Sequence, residues 1–414
     1  MNSWPTTYLP PLDARFNVPP LLIEAARGSG LLSQSNGEIF NMYVCGITPY
    51  DATHLGHAAT YLTFDLINRY MRIRGCEVNF VENITDIDDP LLERAKRDNV
   101  DWKDLAASQI ALYEADMTAL HILPPKDFVP VTEVMPLVES AISQLVARGF
   151  TYTIENDLYF DCSSFITDLP ISYEQALSIF AERGGDPERL GKRDALDPVL
   201  WIAHREGEPK WNSVHGAGRP GWHIECSVIA LRYLLGESFL KQDRTKEFLI
   251  TLQGGGSDLI FPHHFMSGAL SEALTGISFA EHFVHTGMVG LDGEKMSKSK
   301  GNLVFVSKLL EEGREAVAIR HALLTSHYAS DRMWSDEILK KSEASIDLIR
   351  KALAKDGVAG THSLISEIIL ALADDLDTPR ALQSIETWAL GNHNGDETTG
   401  EIARALDLLL GLAL

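Results

Sequence analysis

A strand–helix–strand pattern near the start of the chain constrains its fold more than any other feature. Residues 40–46 are mostly apolar and end in a glycine, and residues 77–83 form a second strand pattern. Between them, residues 54–74 carry apolar side chains at helical spacing. Two strands joined through a helix are parallel neighbours with a right-handed crossover. The order therefore predicts an α/β fold with a parallel sheet, whose ligands bind at the carboxyl ends of the strands.

Periodicity and composition predict the order of the remaining elements. Residues 247–253 form a third strand pattern followed by glycines, and residues 163–195 are polar and irregular, as in an inserted connection. Beyond about residue 305 the pattern is mostly helical, and residues 374–379 interrupt it with acidic caps and a proline. Two helices and a hairpin are also expected, at about residues 103–120, 135–148 and 150–161.

The bulk properties limit the classes of protein and of partner. The net charge is −22, from 36 Lys and Arg against 58 Asp and Glu, so the chain is a poor general binder of nucleic acid. The same acidity also fits solubility alone. No apolar run approaches the roughly 20 residues that cross a bilayer, and the N-terminus has no secretory pattern. The four cysteines form no disulfide pattern, so we expect a protein of the reducing cytoplasm without a membrane partner.

Two short motifs far apart in the sequence suggest a site for nucleotide phosphates. His54 and His57 lie at the start of the predicted helix, where imidazoles and the positive helix end favour phosphate. Lys295 and Lys298 have the same spacing in a segment that predicts a mobile cationic loop able to close over a nucleotide. Taken alone, the first motif also fits an ordinary helix start and the second a solvated turn. Together they make these four residues the catalytic candidates.

The two motifs resemble the His-x-Gly-His and Lys-Met-Ser-Lys-Ser signatures of the class I aminoacyl-tRNA synthetases. Longer segments narrow the resemblance to the cysteinyl-tRNA synthetase group; they are residues 42–51, 83–89, 218–226 and 254–264. The resemblance implies a class I synthetase-type fold of the α/β class, with a Rossmann-like parallel-sheet core, an inserted connective region and a C-terminal helical domain. The expected limits are 1–38 for an N-terminal segment, 39–120 and 196–300 for the core, 121–195 for the connective region, 301–330 for a linker and 331–414 for the helical domain.

The resemblance also implies one zinc ion in the amino-acid pocket, with Cys45, Cys226 and His263 as its ligands. The spacing of these residues matches no metal-binding pattern by itself, and Cys226 alone is more typical of a small buried apolar residue. A catalytic zinc ion takes three protein ligands and keeps one open position, which a substrate thiolate can fill. Because the hydroxyl of serine is a harder ligand, such a site would select cysteine.

Three departures separate the chain from the cysteinyl-tRNA synthetases. Ser267 stands where they have a glutamate as fourth zinc ligand, and Gln253 stands where they have a histidine before the glycines. The chain also stops at Leu414, without the region that reads the anticodon. These features, with residues 182–187 and 374–379, resemble instead the cysteine ligases of mycothiol biosynthesis. That resemblance implies ATP-dependent joining of L-cysteine to the amine of glucosaminyl-inositol through a cysteinyl-adenylate, with release of AMP and pyrophosphate.

The ligase resemblance assigns partners and roles to individual residues. The expected partners are cysteine, ATP with Mg²⁺ and glucosaminyl-inositol. No tRNA partner is expected, and the protein is expected to be a monomer. Asp258 is the favoured partner of the cysteine ammonium, although it also fits a helix N-cap, and Trp222 suits either the pocket floor or the core. Glu182, Arg183 and Asp186 are acceptor-side candidates in a segment that also fits a glycine-rich surface turn. The other expected substrate and adenylate contacts are Cys45, Gly46, Ile47, Thr48, Thr60, Asn83, Ile84, Thr85, Gly256, Ser257 and Val289.

Two other functions remain open on the sequence. A shortened or unusual cysteinyl-tRNA synthetase would charge tRNA with cysteine, and a non-catalytic sensor would bind cysteine or its adenylate without turnover. The absence of the anticodon-reading region argues against the synthetase. The presence of both histidines and both lysines in the phosphate motifs argues against the sensor.

Overall fold

The computed structural model describes residues 3–25, 28–241, 245–296, 301–355, 357–391 and 395–414. The strands are β1 (Leu21–Ala25), β2 (Gly28–Leu32), β3 (Ile39–Ile47), β4 (Glu77–Ile84), β5 (Asp127–Pro130), β6 (Thr151–Ile154), β7 (Asp157–Phe160), β8 (Val199–Ala203), β9 (Gly218–Pro220), β10 (Phe248–Gly256), β11 (Ser278–Thr286), β12 (Val289–Leu291), β13 (Glu294–Lys295) and β14 (Arg332–Trp334). The α-helices are α1 (Leu55–Ile73), α2 (Asp89–Asp98), α3 (Trp102–Ala119), α4 (Met135–Ala147), α5 (Tyr173–Glu182), α6 (Trp222–Leu235), α7 (Phe265–Thr275), α8 (Val306–Glu311), α9 (Ala316–Leu324), α10 (Asp336–Leu353), α11 (Thr361–Ala373), α12 (Thr378–Leu390) and α13 (Thr399–Leu410).

The core is a five-stranded parallel sheet in the order β11-β10-β3-β4-β5. This confirms the parallel α/β fold expected from the strand–helix–strand pattern. Two boundaries differ from the sequence expectation. The glycines after residue 253 continue β10 instead of ending it. In addition, β5 lies in the segment assigned to the connective region but pairs with β4 in the core, because a four-residue edge strand is too short to leave a clear pattern.

Strand β3 is buried on both faces, and its alternating side chains enter two different layers. Phe40, Met42 and Val44 pack in the layer that contains α1, whereas Tyr43 and Cys45 pack in the layer that contains α6. The period of two in the strand therefore decides which helix each side chain meets. Cys45 is directed to the face where α6 carries its own cysteine.

The connective region is more ordered than its polar sequence suggested. Strands β6 and β7 form an antiparallel sheet with β8 and β9, which lie in the range assigned to the core, and the stretch expected to be irregular contains helix α5. A capping box begins this helix, in which Ser172 and Gln175 bond each other's main chain. That pair was the sequence signal for the helix, but the surrounding polar residues concealed it.

The remaining described residues form small sheets and a helical C-terminal part. Strands β1 and β2 form a hairpin, and β12 lies between β13 and β14. The interruption at residues 374–379 is confirmed, since α11 ends at Ala373 and Asp377 caps α12. None of the helices in the described ranges is long and apolar enough to cross a membrane.

Two buried arginines join the first core helix to the C-terminal helices. Arg69 donates to the carboxylate of Asp65 at 2.8 Å, and Arg320 of α9 contacts the same oxygen. Although burial raises the pKa of Asp65, the charges of Arg69 and Arg320 outweigh it and lower the pKa. Gly411 has φ 64°, and a Cβ there would lie 2.3 Å from the Arg320 guanidinium carbon. The other N–H groups of both arginines donate to the main-chain oxygens of Leu120, His121, Asp407, Leu408 and Leu410.

Strand β4 carries a buried acid, Glu82, that faces the layer containing α1. The side chain of Glu82 accepts a hydrogen bond from Tyr113 at 2.6 Å, and Tyr61 beside them donates to the carbonyl oxygen of Cys45 at 3.3 Å. Burial raises the pKa of Glu82 to about 8, against the opposing effect of the Tyr113 hydrogen bond. Glu82 is therefore a neutral acid at pH 7 in the folded protein.

Replacing Asp65 with Asn should lower the free energy of unfolding by about 3–5 kcal/mol, because two guanidinium groups would remain buried without their counter-charge. Urea unfolding followed by circular dichroism measures this change. Glu337→Gln is a suitable control, since it breaks an exposed pair with Lys341 and should leave stability unchanged. Equal effects of the two substitutions would contradict the structural role of Asp65.

Replacing Glu82 with Gln should reduce the loss of stability that accompanies a rise in pH. Because the pKa of Glu82 is raised in the folded state, this residue contributes its full stabilisation at a pH below its unfolded pKa of about 4.3. The contribution is lost as the pH rises toward about 8. The variant cannot ionise there, so its stability relative to wild type should increase from about pH 5 to about pH 9. Denaturant midpoints across this range test the prediction. The surface variant Glu367→Gln is the control and should follow the wild-type curve of stability against pH. A curve for Glu82→Gln that runs parallel to the wild-type curve would refute the prediction.

Candidate active site

A bulge at the carboxyl end of β3 positions Cys45. The register with β4 shifts by one residue between Val44 and Ile47, so the strand bends at Cys45 and Gly46. The Gly46 N–H donates to the side-chain oxygen of Asn83 at 2.8 Å, and a Cβ on Gly46 would lie 1.7 Å from the Asn83 carbonyl oxygen. Only glycine fits this close approach.

Several expected substrate contacts are used to hold this bulge. The side-chain oxygen of Asn83 also accepts from Tyr43 at 2.9 Å, and its amide donates to Thr85 at 3.0 Å. The Thr85 N–H donates to the carbonyl oxygen of Ile47 at 2.9 Å. Ile84 is fully buried, whereas Thr48 is half-buried just beyond the bulge. Asn83, Ile84 and Thr85 therefore shape the site from within the sheet.

Cys45, Cys226 and His263 come together in the buried layer next to this bulge. Their potential ligand atoms all lie within 4.8 Å of one another, and His263 Nε2 is 3.1 Å from Cys226 Sγ. The three residues reach this point from β3, from α6 and from the turn before α7. The sequence resemblance named the same three residues, and the structure places them as a group that could hold a metal ion.

The two thiols of this group are in different electrostatic states. Burial and the neighbouring Cys226 raise the pKa of Cys45. Burial also acts to raise the pKa of Cys226, but hydrogen bonding from Cys45 and the charge of His263 outweigh it and hold that pKa well below its usual range. Cys226 is thus stabilised as a thiolate, the form that binds metals.

Other buried side chains orient the three, and the sequence did not identify them as a set. His223 Nδ1 is 3.0 Å from His263 Nδ1, and burial lowers the pKa of His223, so a neutral His223 can accept the His263 N–H. Gln253 donates to Cys45 Sγ at 3.3 Å, and His264 Nε2 lies 3.3 Å from the same sulfur. His285 Nε2 lies 2.7 Å from His264 Nδ1. The adjacent histidines 263 and 264 were the signal available in the sequence.

Trp222 and Ser267 lie at the edge of the group of Cys45, Cys226 and His263. Trp222 is half-buried and stacks on His263 with ring centres 4.2 Å apart, so it lines the site and is not wholly in the core. Ser267 is buried, and its hydroxyl lies 3.5 Å from the His223 carbonyl oxygen. A serine in this place leaves the group with three strong ligands.

The first phosphate motif lies at the start of α1. His54 is the N-cap of the helix, and its Nδ1 accepts from the N–H groups of Gly56 and His57 at 3.1 and 3.4 Å. Because Nδ1 is an acceptor, the proton of this ring is on Nε2, which remains a hydrogen-bond donor. The His54 and His57 rings stack at 3.8 Å, and both sit at the positive end of a 19-residue helix.

The main chain that follows the second phosphate motif is hydrogen-bonded to the main chain of the first motif. The Leu55 N–H donates to the Val304 carbonyl oxygen at 2.9 Å, and the Val306 N–H donates to the Thr53 carbonyl oxygen at 3.1 Å. The main chain of Lys295 belongs to β13 opposite Gly290. Lys298 lies outside the described residues. Segments flanking both motifs are therefore adjacent, although the sequence separates them widely.

The end of β10 supplies the next group of expected contacts. Gly256 and Ser257 are partly exposed at the carboxyl end of the strand, and Asp258 follows in a short 3₁₀ turn that its side chain does not cap. The Asp258 carboxylate lies close to the main chain of Gly256. A Cβ added to Gly256 would be 2.7 Å from this carboxylate and 3.8 Å from the Thr60 hydroxyl. This brings Asp258 and Thr60 of α1 to one side of the site. Val289 is buried in β12, a strand that packs on α1.

The acceptor-side candidates lie at the end of α5. Glu182 is the last residue of the helix, Arg183 is its C-cap, and Asp186 has φ 48° in the turn that follows. The Arg183 guanidinium lies 3.6 Å from the carboxylate of Asp258. The connective region therefore contacts the core at Asp258, a residue that is predicted to bind substrate.

Comparison with solved structures finds the same fold in aminoacyl-tRNA synthetases. The chain is similar to methionyl-tRNA synthetase of Mycobacterium tuberculosis in complex with methionyl-adenylate, with a TM-score of 0.61 and 18% identity over 91% of this chain and 89% of the other. It is also similar to a putative arginyl-tRNA synthetase of Campylobacter jejuni, with a TM-score of 0.55 and 13% identity over 91% of both. At these identities the likeness concerns the fold alone.

Sequence comparison identifies the family. Residues 31–344 match the family model for the catalytic domain of class I (C) tRNA synthetases. Proteins of Gordonia bronchialis and Nakamurella multipartita are each 48% identical to this chain, and one of Rhodococcus erythropolis is 47% identical, over the full length of both chains in every case. All three carry the name L-cysteine:1D-myo-inositol 2-amino-2-deoxy-alpha-D-glucopyranoside ligase. The chain therefore belongs to the class I tRNA synthetase catalytic-domain family and, within it, to the family of these ligases.

Proposed function

We propose that this protein is an ATP-dependent ligase that joins L-cysteine to the amine of glucosaminyl-inositol in mycothiol biosynthesis, with release of AMP and pyrophosphate. The name carried by full-length relatives at 47–48% identity supports the substrates. The observation that carries the proposal is the buried group of Cys45, Cys226 and His263, which suits recognition of a thiol. It lies in the same core as the phosphate-binding start of α1.

We assign this group to a zinc ion. Two cysteine sulfurs and one imidazole are donors that zinc prefers; Cys226 is already stabilised as a thiolate, and Cys45 would lose its proton on binding the metal. The buried His223 can keep the second nitrogen of His263 protonated. When bound, zinc supplies a Lewis acid with one open position for the substrate sulfur. Because serine offers only a hydroxyl, the three residues would discriminate against it without an editing site.

In the first half-reaction the cysteine carboxylate attacks the α-phosphorus of ATP. The new O–P bond forms as the bond to pyrophosphate breaks, with Mg²⁺ accompanying the pyrophosphate. His54 donates from Nε2, and His57 and the N-terminus of α1 face the same negative charge. Lys295 and Lys298 add cations from the second motif, and Asp258 holds the cysteine ammonium.

In the second half-reaction the sugar amine attacks the carbonyl carbon of the adenylate. The C–N bond forms, AMP leaves with the electrons of the C–O bond, and the amine loses a proton. Because the mixed anhydride is already activated, positioning of the amine provides most of the acceleration. The segment of Glu182, Arg183 and Asp186 lies where α5 approaches Asp258 and forms the acceptor side of the site.

We further propose that the enzyme acts as a cytoplasmic monomer and without tRNA. The net charge of −22 disfavours a polyanionic acceptor, and a neutral or cationic aminosugar needs no basic surface. All four cysteines are unpaired, which fits a reducing compartment.

The function is tested by incubating the protein with ATP, L-cysteine and glucosaminyl-inositol and by following the amide product by mass spectrometry. We expect one AMP for each amide formed. L-serine in place of L-cysteine should give no product, since it lacks the sulfur. Formation of cysteinyl-tRNA without any amide would reject the ligase and favour a tRNA synthetase.

The metal assignment makes a separate prediction. The purified protein should contain about one zinc ion per chain, and Cys226→Ala should lose most of it, because two remaining ligands bind weakly. Metal analysis by mass spectrometry measures this ratio directly. Cys76→Ala is the matched control, since Cys76 is also buried and unpaired but lies outside the group. Full zinc content in Cys226→Ala would exclude Cys226 as a ligand.

A further inference from the structure

Arg183, in the connective region, lies beside a carboxylate at the end of β10. Arg183 and Asp258 form an ion pair at 3.6 Å, with about a third of each side chain exposed (33% and 32%). Asp258 is the carboxylate proposed to bind the ammonium group of cysteine. The guanidinium therefore lies beside the carboxylate that a substrate cation would use.

The loop that carries Arg183 is held in a fixed shape. A Cβ on Gly185 would lie 2.4 Å from the ring of Phe180, so the loop packs directly on α5. Lys192 donates to the Gly185 carbonyl oxygen at 2.6 Å and lies 4.8 Å above the same ring. Gly184 adopts φ 79°, which allows the chain to turn here. Arg183 is thus presented by a turn that packs on α5 and is bonded to Lys192.

The surroundings of the pair are acidic. Burial and the charges of Asp51 and Asp88 raise the pKa of Tyr50, with a smaller contribution from Asp258, whereas Arg183 opposes them. Asp51, Asp88, Arg183 and Asp258 therefore all lie within electrostatic reach of Tyr50. An incoming ammonium group would be attracted by the carboxylates and repelled by Arg183.

We propose that Arg183 is a positioning residue that neutralises Asp258 in the empty site and is displaced to the acceptor side when cysteine binds. The inference rests on the proposed function, in which Asp258 receives the ammonium. Asp258 carries one negative charge, so an ammonium and a guanidinium beside this partly exposed carboxylate repel each other, and bound cysteine favours positions of Arg183 away from it. Binding of cysteine and release of Arg183 are therefore coupled.

The released guanidinium has two effects on the second half-reaction. Its five N–H donors can bind the hydroxyl groups of the sugar or the inositol, which orients the acceptor. Its positive charge also disfavours a protonated amine nearby, so it favours the free base, which is the nucleophile. Arg183 thereby links filling of the cysteine pocket to readiness for the acceptor.

The test compares the two half-reactions in Arg183→Gln. In cysteine-dependent ATP–pyrophosphate exchange, the KM for cysteine should fall about two- to five-fold, the range expected when a partly exposed competing ion pair is removed. Amide formation from glucosaminyl-inositol should slow about ten-fold as the acceptor loses its orientation. Arg183→Lys, which keeps the charge, should return the KM for cysteine toward the wild-type value. A purely structural defect would weaken both half-reactions together.

A ligand without an ammonium group provides the decisive control. 3-Mercaptopropionate keeps the thiol and the carboxylate of cysteine, and its inhibition constant should be the same in wild type and Arg183→Gln. Arg193→Gln removes another arginine of the insert, one paired with Asp161, and should leave both half-reactions unchanged.

The possible outcomes separate the two proposals. An unchanged or higher KM for cysteine in Arg183→Gln, or equal tightening of 3-mercaptopropionate, would overturn the role of Arg183 while leaving the ligase intact. Absence of cysteine-dependent exchange in the wild-type protein would overturn the proposed function itself.

Discussion

The placement of the active-site elements depends on one buried carboxylate, Asp65, held between Arg69 and Arg320. Asp65 and Arg69 belong to α1, whose first turn carries the phosphate motif, and Arg320 belongs to α9 beyond the second motif. The same guanidinium groups cap the end of α13. Because each charge would be costly to bury alone, the three residues stabilise the fold only as a set. This couples the C-terminal helices to the geometry of ATP binding.

The position of Cys45 in the group with Cys226 and His263 depends on the period of a strand and on one interruption of that period. Alternation in β3 places Cys45 on the α6 side, and the bulge at Gly46 directs it toward Cys226. An unbroken β3 would carry the same residues, but the register beyond Val44 would differ and the sulfur would be displaced. Asn83 holds the bulge from the neighbouring strand. Under the proposed zinc assignment, specificity for a thiol would depend on main-chain geometry as much as on the ligands.

The sequence predicted what is encoded locally and by motif. The limits of β3, α1 and β4 agree with the expected ones within one or two residues, because these elements have a clear period and defined ends. Helix α5 and strand β5 escaped notice, since one is a ten-residue helix within a polar stretch and the other is a four-residue edge strand. The histidines around the sulfur group could not be predicted as a set. They come from three separate segments, and only the fold brings them together.

The pair of Arg183 with Asp258 shows how an inserted region can alter a reaction without altering the adenylation machinery. The carboxylate belongs to the core and the guanidinium to the insert. Under the proposed role of Asp258, whatever draws Arg183 away from this carboxylate would strengthen the binding of cysteine, and cysteine would in turn make Arg183 available. An acceptor that binds Arg183 would then retain the adenylate until the amide forms. Exchange of the insert could therefore change the acceptor while the residues that bind ATP and cysteine stay the same.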